Sequence, residues 1–399
     1  MVERAAHLVD RVFPEVPVRQ WVLTLPPRLR YLCAWDHALC RAVVAVYLRT
    51  VGGWLRARAR RRGITGGRFG AVAILQRFGS ALNLNVHMHA LLADGVFAAD
   101  AAGRVRFRRD TSGAPRDLAA LLGRIARRIE RLLARRGLAL GPAGDDVPDA
   151  WAEETPMLAG IAAASVQGVA ALGPRAGAPA RRWGDRIDLP EPPGASAWHA
   201  HVSGFDLHAG IVVPGKARAR LERLARYALR PAVGQDRLQP MPDGTIVLEL
   251  RRRWRDGTTH IIFEPVELLE RLAALVPRPR VNLVLYHGVF APRATWRRLI
   301  VPVPPTPADA PESAGAAGPR ARPPNRTWAE LMARSFGYDV LACVRCGGRL
   351  RLVALIQSPA VITRILRHLQ LPEARPTMRP ARDPPLAPRD MDDGAVFAE

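Results

Sequence analysis

Ten consecutive residues, Leu84–Ala93, read LNVHMHALLA. Val86, Ala90, Leu91 and Leu92 make the segment a buried β-strand, yet two imidazoles stand in its middle. Side chains at i and i+2 of a strand point to one face. His87 and His89 therefore converge, while Met88 packs on the other side. Imidazoles buried in this way need partners, and an ion that both can bind supplies one. Imidazole suits Mn, Co, Zn and, less tightly, Mg. The spacing alone is a weak signal, because two surface histidines on an edge strand share it; the apolar surroundings are what favour a metal. His208, in Phe205-Asp206-Leu207-His208-Ala209, also lies on an apolar strand. It reads either as a third ligand, leaving an open position for a phosphate oxygen, or as a satisfied core histidine. His287 is a weaker candidate, and His7, His37 and His368 are incidental.

Around this strand the chain alternates between the two secondary-structure periods. Arg19–Leu25 and Phe69–Phe78 read as strands, and a helical stretch from 28 to 62 is long enough for two helices. Asp94-Gly95 is a hairpin signal before Val96-Phe97. Asp117–Arg136 reads as a basic amphipathic helix, Gly137–Val147 as a loop, and residues 175–197 as irregular, so that 137–197 forms an insertion. Phe205–Val213 is a strand, Pro214–Leu229 a helix, and Gly244–Leu250 pairs with Thr258–Phe263 around Asp256-Gly257. Val266–Val276 is a helix and Val281–Tyr286 a strand. Hairpins imply antiparallel pairing, so the fold class is α+β, an antiparallel sheet flanked by helices. The expected organisation is a main region over 1–302, a Pro/Ala-rich linker over 303–326, a small module over 327–371 and a disordered tail over 372–399.

The 399 residues carry 59 Lys plus Arg against 36 Asp plus Glu, a formal charge of +23. A chain this basic is expected to meet a polyanion, and nucleic acid is the commonest. Lys216 is its only lysine. GC-rich coding accounts for arginine over lysine, but not for the excess of cations. Four cysteines without a disulfide pattern fit a reducing compartment. No signal peptide and no apolar run of ~18 residues are present, which predicts a cytoplasmic protein without a membrane partner.

Five tyrosines occur, and Tyr227 alone lies on a helix with an unusual surface. Arg220, Arg223 and Arg230 stand at −7, −4 and +3 from it, on its own face of a 3.6-residue helix, and Arg226 precedes it. Leu221, Leu224, Ala225 and Ala228 form the opposite stripe, and Pro231 ends the helix. Arginine presents a fork that fits phosphate oxygens. A tyrosine among such residues is placed to meet a phosphate; equally, the helix could lie on DNA with the tyrosine only stacking.

The segments RQWVLTLPPRLR, QRFGSALNLNVHMHALLADGVF, GFDLHAG, LERLARYALRP and DGTTHIIFEPVELLERLAALVPRPR, followed by YHGVFAP, closely resemble the rolling-circle insertion-sequence transposases of the HUH type (His, hydrophobic, His). The resemblance covers roughly residues 8–302. It implies an HUH-endonuclease-like core that nicks and rejoins single-stranded DNA. His87 and His89 would hold a divalent metal, Mg or Mn, and Tyr227 would form a 5′-phosphotyrosine. The implied partners are single-stranded DNA at element ends and target, and the host replication machinery, with room for a homodimer. Many members carry two tyrosines on this helix. Here the −4 and +4 positions are Arg223 and Pro231, as in the single-tyrosine insertion-sequence common region transposases. Members usually begin with a cysteine-rich zinc-binding domain, which is absent here, so a truncated copy is expected. Competing readings are a decayed DNA-binding remnant, a relaxase or replication initiator of the same fold, and a hydrolase that uses the His pair with water.

Cys343 and Cys346, followed by two glycines, resemble half of a zinc ribbon. Two thiolates do not close a four-ligand site, so the expectation is a knuckle without its metal. Thr327-Trp328-Ala329-Glu330 is a capping box, and a strand over Arg349–Ile356 and a helix over Pro359–Leu369 are expected after it.

Overall fold

The computed structural model describes residues 1–113, 118–140, 149–184, 197–302, 326–351, 353–354 and 356–371, and the chain divides into two units near residue 309. The first unit holds nine helices among its described residues: α1 (Val2–Arg11), α2 (Pro27–Trp35), α3 (His37–Arg61), α4 (Leu118–Ala134), α5 (Ala150–Glu154), α6 (Pro156–Gln167), α7 (Arg218–Ala228), α8 (Pro265–Leu275) and α9 (Arg297–Ile300). Its strands are β1 (Val18–Thr24), β2 (Gly70–Phe78), β3 (Leu84–Ala93), β4 (Gly95–Ala99), β5 (Val105–Arg109), β6 (Arg181–Gly184), β7 (His199–Val202), β8 (Phe205–His208), β9 (Val212–Val213), β10 (Leu238–Pro240), β11 (Ile246–Glu249), β12 (Thr258–Phe263) and β13 (Val284–Gly288). The second unit contains α10 (Trp328–Phe336) and α11 (Pro359–His368).

The main sheet runs β13-β2-β3-β1-β8-β7, with β9 also on β1, and every pairing is antiparallel. β3 and β1 sit in the middle, so both their faces must be covered. Trp21, Leu23, Leu75, Val86, Met88, Ala90 and Leu92 join a core with α2, α3, α4 and α6. The other face meets α1 and α7: Val18, Val72, Ile74 and Leu91 pack with Leu8, Val9, Leu221, Leu224 and Ala225. The predicted apolar stripe of the tyrosine helix is thus its sheet-facing side. A second sheet, β10-β11-β12-β6, packs its core of Leu248, Ile261 and Phe263 against Ala81 and Leu82 of the β2–β3 turn.

The stretch 28–62 is two helices. They break at Asp36, whose Oδ1 accepts the Leu39 N–H at 2.9 Å and caps α3. α3 is long and apolar enough to cross a membrane, but its apolar residues lie in the core.

Several expectations are corrected. Asp94-Gly95 does not turn a hairpin; β4 leaves the main sheet and pairs with β5 instead. A Cβ on Gly95 would lie 2.2 Å from the Arg108 carbonyl oxygen, so the crossing needs glycine. Phe205–Val213 divides into β8 and β9. Within the stretch 137–197, Trp151, Ile161 and Ala162 are core, and β6 pairs with β12. Arg349–Ile356 forms no strand among its described residues, which make a single bridge, Ala342↔Arg349. The capping box at Thr327 is present. The linker 303–325, the tail 372–399 and loop residues 141–148 lie outside the described residues.

Where β4 leaves the sheet, Arg19 donates from Nε to Asp94 Oδ1 at 2.7 Å and from Nη1 to the Ala209 carbonyl at 2.9 Å, beneath the Trp198 ring. Both members of the pair are nearly buried. Removing one leaves the other charge buried and alone, so Arg19→Ala is expected to cost about 3 kcal/mol. Arg104→Ala, which breaks the exposed pair to Asp100, should leave stability nearly unchanged. Urea unfolding of the two variants checks the contrast.

Candidate active site

The antiparallel register sets the contents of the α7-facing side of the sheet. His87 lies between Thr24 on β1 and Gln76 on β2, and His89 lies between Val22 and Ile74. Cross-strand partners share a face, so all six side chains emerge on one side. Met88, on the opposite face, is fully buried, as the alternation requires.

The two imidazoles meet. His87 Nε2 and His89 Nε2 are 3.2 Å apart, with ring centroids at 5.0 Å. Two nitrogens bound to one ion at about 2.1 Å and a tetrahedral or right angle would stand about 3.0–3.4 Å apart. The pair already has that separation. Its outer nitrogens are also held. His87 Nδ1–H donates to the Asn85 carbonyl at 2.8 Å, which leaves Nε2 as the lone pair. His89 Nδ1 meets the Gln20 side-chain amide at 2.7 Å. Gln20 Oε1 has no partner and is buried; turning that amide over makes it the acceptor for His89 Nδ1–H and frees the second Nε2. Hydrogen-bonded outer nitrogens that fix the tautomer are what metal-binding histidines require. The residues fit a divalent ion.

Burial pushes His87 down to about 4, helped by the guanidinium groups of Arg230 and Arg30 and opposed by its bond to Asn85. Burial also holds His89 well below the usual imidazole range, with His87 and Arg230 adding to it. Both rings are therefore neutral near pH 7, the form that binds metal.

Tyr227 comes to this pair. Its ring stands edge-to-face on His89 at 5.9 Å between centroids. Arg230 lies over the tyrosine ring at 4.2 Å and hydrogen-bonds the phenol. Gln76 Nε2 donates to the carbonyls of Ala228 at 2.7 Å and Tyr227 at 3.3 Å, so β2 grips the end of α7 that carries the tyrosine. The arginine stripe is not one surface. Arg230 belongs to the site, Arg226 is half-buried, and Arg220 and Arg223 are exposed. Arg251 and Arg252, on the β11–β12 loop, also act on Arg230. Their signal was the run RRRWR in the hairpin.

His208 does not join the pair. It shares the row of His89, but Val22 stands between them, two strand spacings or about 10 Å across. It groups instead with His199, whose Nε2 is 2.7 Å from Asp206 Oδ2, and with His201, 3.8 Å from the same oxygen. His199-Ala200-His201 repeats the spacing of the buried pair, but His201 is exposed. Among the described residues no group of three or more His, Cys, Asp and Glu is arranged to hold a metal. That holds also for Cys343 and Cys346, both free; backbone N–H groups of Arg345 and Cys346 lower the Cys343 thiol.

The lowered His87 has a consequence for stability. Its folded pKa lies below the unfolded 6.5, so between these values the unfolded chain binds more protons. The contribution is complete above pH 6.5 and is lost as pH falls towards 4. Between pH 7 and 4, wild type is expected to lose about 3 kcal/mol more than His87→Asn, read from urea unfolding at each pH. Parallel losses would show that His87 is not a buried neutral imidazole.

The family model described as "Putative transposase" matches residues 70–297, more than half of the chain. The matched span opens on β2, contains the histidine pair and α7, and closes in α9. No curated protein and no solved structure matches. With the paired imidazoles and Tyr227 all inside that span, the chain belongs to this family of transposases.

Proposed function

We propose that this transposase nicks and rejoins single-stranded DNA through a covalent 5′-phosphotyrosine on Tyr227, by the rolling-circle route of HUH-type enzymes. One observation carries the reading: the two Nε2 atoms stand 3.2 Å apart and Tyr227 packs on one of the same rings. A divalent ion, Mg or Mn, held by His87 and His89 supplies charge neutralisation at the scissile phosphate. The Tyr227 oxygen attacks phosphorus, forming the Tyr–O–P bond. The P–O3′ bond breaks, and its electron pair leaves with the 3′ oxygen. The phenolic proton is lost to solvent, and the leaving oxygen takes one up as a 3′-OH. Attack by a 3′-OH on the phosphotyrosine reverses these changes and rejoins strands without a nucleotide.

Arg230 places a permanent cation against the phenol as negative charge gathers on the attacking and equatorial oxygens. Arg30, Arg251 and Arg252 extend that positive field to the flanking phosphates. Single strands rather than duplex fit, because the reactive atoms lie half-buried between α7 and the sheet.

Tyr227→Phe should abolish a covalent DNA adduct, assayed with labelled single-stranded element ends and Mn and mapped by mass spectrometry. Arg230→Gln is expected to slow adduct formation on the order of 100-fold, and His87→Ala to remove its metal dependence together with most activity. An adduct that persists in Tyr227→Phe would assign the nucleophile elsewhere. Metal-dependent cleavage without any adduct would favour a hydrolase.

A further inference from the structure

Gln76 is a polar side chain in the otherwise apolar strand GAVAILQRF, and it is 3% exposed. The orientation of its amide is not free. Two carbonyl oxygens, of Ala228 and Tyr227, take up the Nε2 side, so that end must be the NH2 group. Oε1 is then turned elsewhere, and it is buried with no hydrogen-bond partner. An unpaired buried carbonyl of this kind is destabilising unless something binds it.

Gln76 sits directly across from His87, on the face that carries both imidazoles. Five side chains flank the histidine pair on the two neighbouring strands, and one of them, Gln20, is already committed to His89 Nδ1. Val22 and Ile74 are hydrocarbon, Thr24 offers a hydroxyl, and Gln76 offers an amide oxygen. His208, the other ligand-type residue of that row, is a further strand away, and no third His, Cys, Asp or Glu joins the pair among the described residues.

We infer that Gln76 is the third protein ligand of the ion held by His87 and His89, binding through Oε1 while its Nε2 holds the end of the tyrosine helix. The inference rests on the metal-pair reading above. One side chain then ties the metal site to the nucleophile: the ion orients the amide, and the amide holds the carbonyl of Tyr227 itself. The donor chemistry also selects the metal. An amide oxygen beside two imidazoles suits Mn or Mg better than the sulfur-rich sets that favour zinc. Three neutral donors leave the ion's double charge undiminished by any protein carboxylate, which favours an anionic phosphate in the open positions.

The test uses the full chain. In Mn titrations followed by electron paramagnetic resonance, Gln76→Ala should weaken binding at least about 10-fold, and His87→Ala should lose it. Gln76→Cys loaded with Co replaces the oxygen by a thiolate. Compared in a Cys343→Ser/Cys346→Ser background, it should show a thiolate-to-cobalt charge-transfer band that is missing from the parent protein and from Gln76→Cys/His87→Ala. This band reports direct ligation, which a purely structural role would not produce, and it decides the matter even if Gln76→Ala fails to fold. Wild-type Mn affinity in Gln76→Ala, or no band in a Gln76→Cys protein that binds Co, overturns the inference and leaves the histidine pair intact. Mn binding that survives His87→Ala overturns the metal reading, and the role of Gln76 with it.

Discussion

The register of β3 between β1 and β2 is the constraint from which the rest of this site follows. Because side chains alternate with a period of two, a slip of one residue would carry His87 and His89 to the other face. There they would enter the apolar core of α2, α3, α4 and α6, where burying an imidazole is costly. Met88, fully buried in that core, holds the register from the opposite side. Once it is set, Gln20, Thr24 and Gln76 arrive around the histidines without further choice. α7 is the element that covers this face, so a tyrosine on the sheet-ward edge of α7 is brought to the same place.

The positive charge of the chain serves two ends, and composition does not separate them. Some arginines are structural. Arg77 donates to the carbonyls of Ala34, Ala274 and Leu275, joining the ends of α2 and α8. Arg58 pairs with Asp110 and also donates to the Gly113 carbonyl. Arg271 is nearly fully buried beside Glu267. The arginines that matter for an anion are those whose strongest neighbours are other cations or the phenol. Arg230 is in that position, its burial and the adjacent Arg251 and Arg252 all lowering its proton affinity. A phosphate would relieve that repulsion. Under the proposed function, that phosphate would account for part of the charge excess.

Much of this was legible in the sequence. Period-two and period-3.6 patterns located β1, β2, β3, α4, α7, the β11–β12 hairpin and α8 to within a few residues, and the i, i+2 rule placed the two histidines together. What failed had a common cause. Asp94-Gly95 has the local chemistry of a turn, but Asp94 is taken by Arg19, 75 residues away in sequence. His208 lies on an apolar strand as expected, yet strand order put β1 between it and the pair. The arginine stripe on α7 was drawn from helical spacing alone; the sheet claims the side nearest Tyr227, and Arg230 reaches the tyrosine from beyond the last turn. Gln76 went unnoticed because one polar residue in a strand carries no periodic signal. Its meaning depends on a strand partner and a helix end 152 residues distant.

The single tyrosine bears on how strands can be exchanged under the proposed mechanism. The −4 position on α7 is Arg223, exposed to solvent, and the +4 position is Pro231, past the end of the helix. Neither can attack a phosphate. Each site therefore holds one 5′ end at a time. A second cleavage by the same chain must wait until a 3′-OH has displaced the first end from Tyr227. Joining two cleaved strands thus takes either sequential use of one site, with the free 3′-OH kept close by the surrounding arginines, or two copies of the chain acting together. The local geometry favours retention. Tyr227 is half-buried, Arg230 spans its ring, and Gln76 clamps the carbonyl behind it. A covalent phosphate formed there would stay within the same ring of cations until the incoming oxygen arrived.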